Sequence, residues 1–67
     1  MPKTEITILI DLKGPDGNAL AIVAIVSREL RAGGYAHLVD EYRKKALAGN
    51  YENLLAVTQE YVELVTL

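Results

Sequence analysis

Hydrophobic and polar residues alternate near the start of the chain. The apolar residues at every second position are Ile6, Ile8, Ile10 and Leu12. Thr7 and Asp11 lie on the other side of this pattern, which is typical of a strand with one buried face and predicts a strand over residues 4–12. Leu9 interrupts the polar side. A single exposed Leu is common, but here it fits a position underneath a partner.

A glycine-rich break follows the strand, and two interpretations of it are open. In one, the break is a loop and Asn18 caps the next helix. In the other, which we favour, Gly14 is the N-cap, Pro15 is the first helical residue and Asp16 lies in the first turn, because Pro and an acid both suit a helix start. Gly17 would then lie inside the helix at a cost of about 1 kcal/mol relative to Ala, so a neighbouring group must require its missing side chain.

The first helix is predicted over residues 15–32 and ends at Gly33 and Gly34. Apolar residues at spacings of three and four are Ala19, Ile22, Val23, Val26 and Leu30. The residues that extend this surface around the first half of the helix are Leu20, Ala21, Ala24 and Ile25. One short chain covers such a helix with difficulty, so we expect a homo-oligomer, most simply a twofold dimer.

Two further helices are predicted over residues 35–48 and 51–61, with Asn50 as the cap of the latter. Their expected inward residues are Leu38, Val39, Tyr42, Ala46 and Leu47, then Leu54, Leu55, Val57 and Tyr61. Residues 62–67 are rich in β-branched side chains and predict a short strand that pairs with the first, with helical continuation to Val65 as the alternative. The pattern therefore predicts a single α+β domain over residues 1–67, in the order β-α-α-α-(β).

Composition narrows the chemistry. The 67 residues include no Cys and one His, which excludes disulfides, thiolate metal sites and an imidazole zinc site within one chain. The net charge of −2 is too small to favour nucleic acid as a partner. The longest apolar run, residues 19–26, is far shorter than the roughly 20 residues that span a bilayer, and no secretion signal is visible. These features favour a cytoplasmic protein without a membrane partner.

Two short motifs carry a family resemblance. Residues 14–19 read Gly-Pro-Asp-Gly-Asn-Ala after the first strand, and residues 49–54 read Gly-Asn-Tyr-Glu-Asn-Leu. Together they resemble a group of small uncharacterised proteins of tailed bacteriophages and prophages, although this chain has Asn50 where the group has an acid. The resemblance implies a phage origin, and hence the cytoplasm of the host cell, but no established activity.

Catalytic chemistry is not indicated. His37 and Ser27 are the only histidine and the only serine, and nothing in the sequence brings them together. Asp11 and Asp16 are better explained as an outer-face residue and a helix-start residue than as a carboxylate pair. We therefore expect neither an enzyme nor a metal or organic cofactor.

Three segments are candidates for ligand contact. At the strand–helix junction, glycine and free backbone N–H groups suit an anion, and the residues are Asp16, Gly17 and Asn18. The second segment combines a ring with positive charge: Tyr42, Arg43 and Lys44. The third is Tyr51 and Glu52, which lie in the second motif. A structural turn and a solvated helix end are the competing interpretations of the first two segments.

Two functions stay open on these grounds. The first is a small non-enzymatic binding protein that sequesters a nucleotide-type immune signal in a pocket between subunits, as an anti-defence protein of a phage. The alternative is a protein–protein interaction module that inhibits a host factor or serves as a structural accessory. A large apolar patch left exposed on the surface favours the alternative.

Overall fold

The computed structural model describes residues 2–67 and confirms the predicted α+β architecture, with three helices between two strands. The strands are β1 (Thr7–Ile10) and β2 (Glu63–Thr66), and the helices are α1 (Ala19–Ala32), α2 (Val39–Ala46) and α3 (Tyr51–Tyr61). Short 3₁₀ turns, Pro15–Gly17 and Ala36–Leu38, precede α1 and α2. The C-terminal strand is confirmed, and the helical alternative to Val65 is wrong because α3 ends at Tyr61.

The strands β1 and β2 form a parallel pair in which Ile8 lies opposite Leu64 and Leu9 lies opposite Val65. Parallel neighbours require a long crossover, which the three helices supply. Ile8 and Leu64 are buried against the helices. One face of the sheet therefore belongs to the core, and the other face carries Leu9 and Val65.

β1 is shorter than the predicted strand over residues 4–12 because both of its ends are drawn into other hydrogen bonds. The Lys3 N–H donates to the Glu60 carbonyl over 2.9 Å, and the Thr4 N–H donates to the Tyr61 carbonyl over 3.1 Å. At the other end, the Asp11 carbonyl accepts from the Gly14 N–H at 3.1 Å, which closes a turn. The predicted alternation of buried and exposed residues is thus correct, but only the middle of the predicted strand pairs with β2.

The start of α1 differs from the favoured prediction. Gly14 does precede Pro15, but Pro15 opens a separate 3₁₀ turn, and Asn18 is extended at φ −79° and ψ 158°. The Asn18 side-chain oxygen accepts from the Ala21 N–H at 2.9 Å, so Asn18 is the cap of α1. The interpretation in which Asn18 caps the helix is the correct one.

The core is built from the inner sheet face and all three helices. Its buried hydrophobic residues are Ile8, Ile10, Ile22, Val23, Val26, Leu30, Val39, Tyr42, Ala46, Leu54, Val57, Tyr61, Val62 and Leu64. A single chain therefore covers the main stripe of α1, which is more than the sequence led us to expect. Leu20, with 71% of its surface exposed, is the large residue of α1 that stays outside.

The ends of the other helices follow their capping residues. Asn50 accepts from the Asn53 N–H at 2.9 Å and caps α3 as predicted, and Gly34 has the left-handed φ of 92° expected after α1. The second helix begins at Val39 instead of residue 35, since a 3₁₀ turn comes first. Leu47 is exposed and not inward, because it lies just beyond the last residue of α2.

Candidate functional site

The junction between β1 and α1 is held by close contact of two backbone segments. Gly17 is buried, and a Cβ atom at this position would lie 2.1 Å from the Leu12 carbonyl oxygen. The glycine is therefore required by the packing of the 3₁₀ turn on the end of the strand. This contact is the neighbouring group that the sequence predicted, and it gives Gly17 a structural role whether or not a ligand binds nearby.

The two sequence motifs, residues 14–19 and 49–54, meet in space. The Tyr51 hydroxyl, at the first residue of α3, donates to the Gly17 carbonyl oxygen over 2.5 Å. Asn18 is occupied on both sides, since its amide nitrogen donates to the Pro15 carbonyl at 3.0 Å and its oxygen caps α1. Asp16 and Glu52 lie exposed in the first turns of their helices. Five of the eight candidate residues thus lie on the two segments that Tyr51 joins.

Tyr51→Phe tests this connection. The variant keeps the ring and removes the hydroxyl that reaches Gly17. We expect it to lower the free energy of unfolding by about 1 kcal/mol, the usual net value of one hydrogen bond, in urea denaturation followed by circular dichroism. Glu52→Gln is the matched control and should change stability little. Equal stability of Tyr51→Phe and the parent chain would show that the bond contributes nothing.

The basic-aromatic segment does not form the predicted ligand platform. Tyr42 is fully buried, its hydroxyl lies 2.9 Å from the Thr58 hydroxyl, and its ring meets the Tyr61 ring edge-on with centroids 5.3 Å apart. Burial also raises the pKa of Tyr42. The Tyr42 ring is therefore not accessible for the ligand contact predicted from the sequence, because the inward face of α2 carries it into the core. Arg43 and Lys44 are exposed on the same helix.

A second polar cluster, which sequence reasoning missed, ties the N-terminal segment to α2 and α3. The Tyr61 hydroxyl and the Lys3 ammonium both donate to the same Glu41 carboxylate oxygen, at 2.5 and 2.9 Å. The Lys3 nitrogen also lies 4.7 Å from the centre of the Tyr61 ring, within range of a cation–π contact. The hydrogen bond from Tyr61, followed by that from Lys3, lowers the pKa of Glu41.

This cluster predicts acid sensitivity. Because the folded-state pKa of Glu41 lies below the ordinary value of 4.5, its ionised form stabilises the fold above that value, and the contribution is lost as pH falls through the folded-state pKa. Glu5, whose pKa is lowered by the Tyr35 hydroxyl, acts in the same direction. We expect Glu41→Gln to flatten the acid limb of a plot of urea midpoint against pH. An unchanged acid limb would contradict this role.

The outward side of the sheet carries exposed apolar side chains in adjacent positions. Leu9 is 61% exposed and Val65, its partner across the ladder, is 38% exposed. Leu67 follows at the end of β2 and is 71% exposed. We call the surface formed by Thr7, Leu9, Glu63, Val65 and Leu67 the outer sheet face. The sequence predicted one exposed Leu at position 9, and the structure shows that further exposed apolar residues lie beside it.

The two edges of the sheet differ in the hydrogen bonding of their outward backbone groups. On β2, the Gln59 side chain fills the place of a neighbouring strand: its oxygen accepts from the Leu64 N–H at 3.1 Å, and its nitrogen donates to the Leu64 carbonyl at 3.0 Å. On β1, the ladder to β2 uses the backbone of the even-numbered residues, since Ile6 and Ile10 accept from Glu63 and Leu67.

The odd-numbered residues of β1, Thr7 and Leu9, therefore direct their N–H and C=O groups away from β2. Within residues 2–67 the sheet has two strands, so no third strand lies on that side of β1. No backbone or side-chain group among residues 2–67 hydrogen-bonds to these N–H and C=O groups. We call these four groups the β1 edge. An uncapped edge is the usual template for pairing with another strand.

The described residues, 2–67, offer none of three other kinds of site. They enclose no pocket, and they contain no cluster of three His, Cys, Asp or Glu side chains that suits a metal ion. No helix among them has both the length and the apolar character needed to cross a bilayer. No known protein family, curated protein or solved structure matches the chain.

Proposed function

We propose that this chain is a non-catalytic protein–protein interaction module that takes up an extended segment of a partner along the β1 edge. One contrast carries the proposal: Gln59 occupies both outward backbone groups of Leu64 on β2, whereas the outward groups of Thr7 and Leu9 on β1 lie open. In strand addition, backbone hydrogen bonds supply affinity and alternate side chains supply specificity. Thr7 and Leu9 offer both the backbone groups and the outward side chains.

The composition of β1 supports this proposal. Exposed edge strands are normally protected by Lys, Pro, a bulge or inward-pointing charges. β1 reads Thr-Ile-Leu-Ile and contains none of these protecting residues. Parallel sheets are also nearly always covered on both faces, and a sheet of two strands is marginal by itself. An added strand would widen the sheet and bring new side chains over its outer face.

The setting of the proposal follows from the resemblance to phage proteins and the Cys-free composition, which favour the cytoplasm of a host cell. Sequestration of a nucleotide-type immune signal between subunits stays a prediction. Of the residues expected for it, Tyr42 is committed to the core and Asn18 to capping α1. The strand-addition proposal uses groups that have no other task within residues 2–67.

Site-specific photo-crosslinking tests the proposal. A benzoyl-phenylalanine at Val65 lies on the outer sheet face, one strand away from the β1 edge, and should reach an added strand and form a covalent adduct with a polypeptide in cells that produce the protein. Thr7→Pro removes an outward N–H, which an edge strand tolerates, and should abolish the adduct. Leu20→Lys, at an exposed leucine on α1, is the matched control and should leave it intact.

Two results would overturn the proposed function. One is the absence of any polypeptide adduct from position 65. The other is an adduct that Thr7→Pro leaves unchanged, because such an adduct does not depend on the backbone groups of the β1 edge. Circular dichroism of Thr7→Pro confirms that the variant is folded before the adducts are compared.

A further inference from the structure

We infer that the strand added to the β1 edge is β1 of a second copy of this chain, which gives a four-stranded sheet in the order β2-β1-β1-β2. This inference rests on the proposed function and names its partner. A twofold axis beside β1 makes the two central strands antiparallel. Such an interface places the same surface on both subunits, so the surface must be complementary to itself.

The β1 edge meets this condition. Its donors and acceptors are the N–H and C=O groups of Thr7 and Leu9, present in equal numbers on one side of one strand. Residues that face each other in an antiparallel pair exchange both of their hydrogen bonds. With the axis at Leu9, the two Leu9 residues exchange both of their hydrogen bonds, and Thr7 of each copy lies opposite Asp11 of the other, the residue that follows β1.

Side-chain chemistry selects the register. With the twofold axis at Leu9, the two Leu9 side chains lie together on the outer sheet face. Because Leu9 is already opposite Val65 in each copy, an apolar row of four residues, Val65–Leu9–Leu9–Val65, crosses the whole sheet. Apolar cross-strand pairs of this kind stabilise a sheet, and the row covers part of the exposed surface that each chain has alone.

Charge points to the same register. An axis at Leu9 brings Glu5 of one copy to the turn that carries Lys13 of the other, and Lys13 forms no ion pair within residues 2–67. An axis at Ile8 would instead place Glu5 opposite Asp11, and like charges opposite one another are unfavourable. An axis at Thr7 would place Leu9 opposite Glu5. Of these three registers, only the one centred on Leu9 pairs apolar side chains with each other and also brings Glu5 near Lys13.

Sedimentation equilibrium tests the assembly on the full chain. We expect the parent protein to dimerise. Leu9→Lys, which brings two positive charges together at the axis, should raise the dissociation constant at least about tenfold. Leu20→Lys changes an equally accessible leucine away from the sheet and should leave the constant unchanged.

Cross-linking through a single thiol tests the register, and the parent chain contains no Cys that could interfere. Opposite residues in a hydrogen-bonded antiparallel pair have Cα atoms about 5.5 Å apart, within the range that a disulfide spans. Leu9→Cys should therefore form a covalent dimer on mild oxidation, and Leu20→Cys should not. Lys13→Glu should weaken the dimer, and the double variant Glu5→Lys/Lys13→Glu should restore it.

Three results would overturn the inference: a parent chain that remains monomeric at every concentration, a dimer that Leu9→Lys leaves intact, or a Leu9→Cys dimer that does not oxidise faster than Leu20→Cys. The first result separates this inference from the proposed function. A monomeric chain whose position 65 still gives a Thr7→Pro-sensitive adduct with a different protein would retain strand addition and lose only the second copy.

Discussion

Replacing Gly17 with Ala is expected to destabilise the chain by about 3 kcal/mol, near the upper end of overpacking penalties. The added Cβ would lie 2.1 Å from the Leu12 carbonyl oxygen and 2.5 Å from its carbonyl carbon. Both atoms belong to the backbone, so no flexible side chain can move aside. The 3₁₀ turn or the end of β1 must shift instead, and the Tyr51 hydrogen bond to Gly17 shifts with it.

Gly14→Ala is the matched control, because it adds the same methyl group at the other end of the same turn. There the nearest atom would be an Asp11 carboxylate oxygen at an ordinary 3.4 Å, and the φ of −91° suits alanine. We expect its stability to equal or slightly exceed that of the parent. Urea denaturation of both variants gives the comparison. A Gly17→Ala variant as stable as Gly14→Ala would show that the junction is not tightly packed.

Tyr42→Ala is expected to cost about 3–5 kcal/mol, the range for removal of a large aromatic side chain from a core. Tyr42 has no exposed surface, and it packs edge-on against the Tyr61 ring while its hydroxyl meets Thr58. Small domains have total stabilities of about 5–15 kcal/mol, so the loss removes a large part of the folding free energy. Thermal unfolding followed by circular dichroism should show a much lower midpoint.

Two controls separate the ring from the hydroxyl of Tyr42. Tyr42→Phe keeps the ring and should cost only about 1 kcal/mol, through the hydrogen bond to Thr58. Tyr51→Ala removes an exposed tyrosine ring and should be milder than Tyr42→Ala. If Tyr42 served mainly as a surface for ligands, Tyr42→Ala would leave the thermal midpoint nearly unchanged. That outcome would contradict the burial of this side chain.

Residue spacing and capping residues predicted the elements whose formation depends on neighbouring residues in the sequence. The period of two around Ile8 and Ile10 identified β1, and Asn50 identified the first turn of α3. The start of α1 depended on a tertiary contact. Gly17 packs against Leu12, which holds Pro15–Gly17 as a separate turn and leaves Asn18 to cap the helix. No pattern within the turn itself distinguishes these two arrangements.

Side-chain roles were harder to predict than elements, because they depend on which face of a helix meets the core. Tyr42 satisfied two hypotheses at once, as an inward residue of α2 and as the ring of a basic-aromatic segment, and its burial decides between them. The hydrogen bond from Tyr51 to Gly17 joins residues 34 positions apart, which no local motif encodes. The hydrogen bonds from the Gln59 side chain to Leu64 could not be predicted from the sequence either, because they require β2 to run back alongside α3.

The expectation of an oligomer shifts from α1 to the sheet. The apolar first half of α1 suggested that one chain could not cover it, yet Ile22, Val23 and Val26 are fully covered within the chain. We propose that the partner binds at β1 instead, where outward backbone groups lie open and the Leu9 side chain is exposed. The proposed self-association therefore involves β1 of both copies, paired in the register centred on Leu9.

Residue-resolved amide hydrogen exchange, measured by NMR at low and high protein concentration, tests that interface most directly. We predict that the Thr7 and Leu9 amides exchange rapidly in dilute solution and become protected as concentration rises, because each then donates to a second copy. The Ile8 and Ile10 amides face β2 within the chain and should be protected throughout. Thr7 and Leu9 amides that exchange rapidly at every concentration would contradict the pairing of the β1 edge between copies.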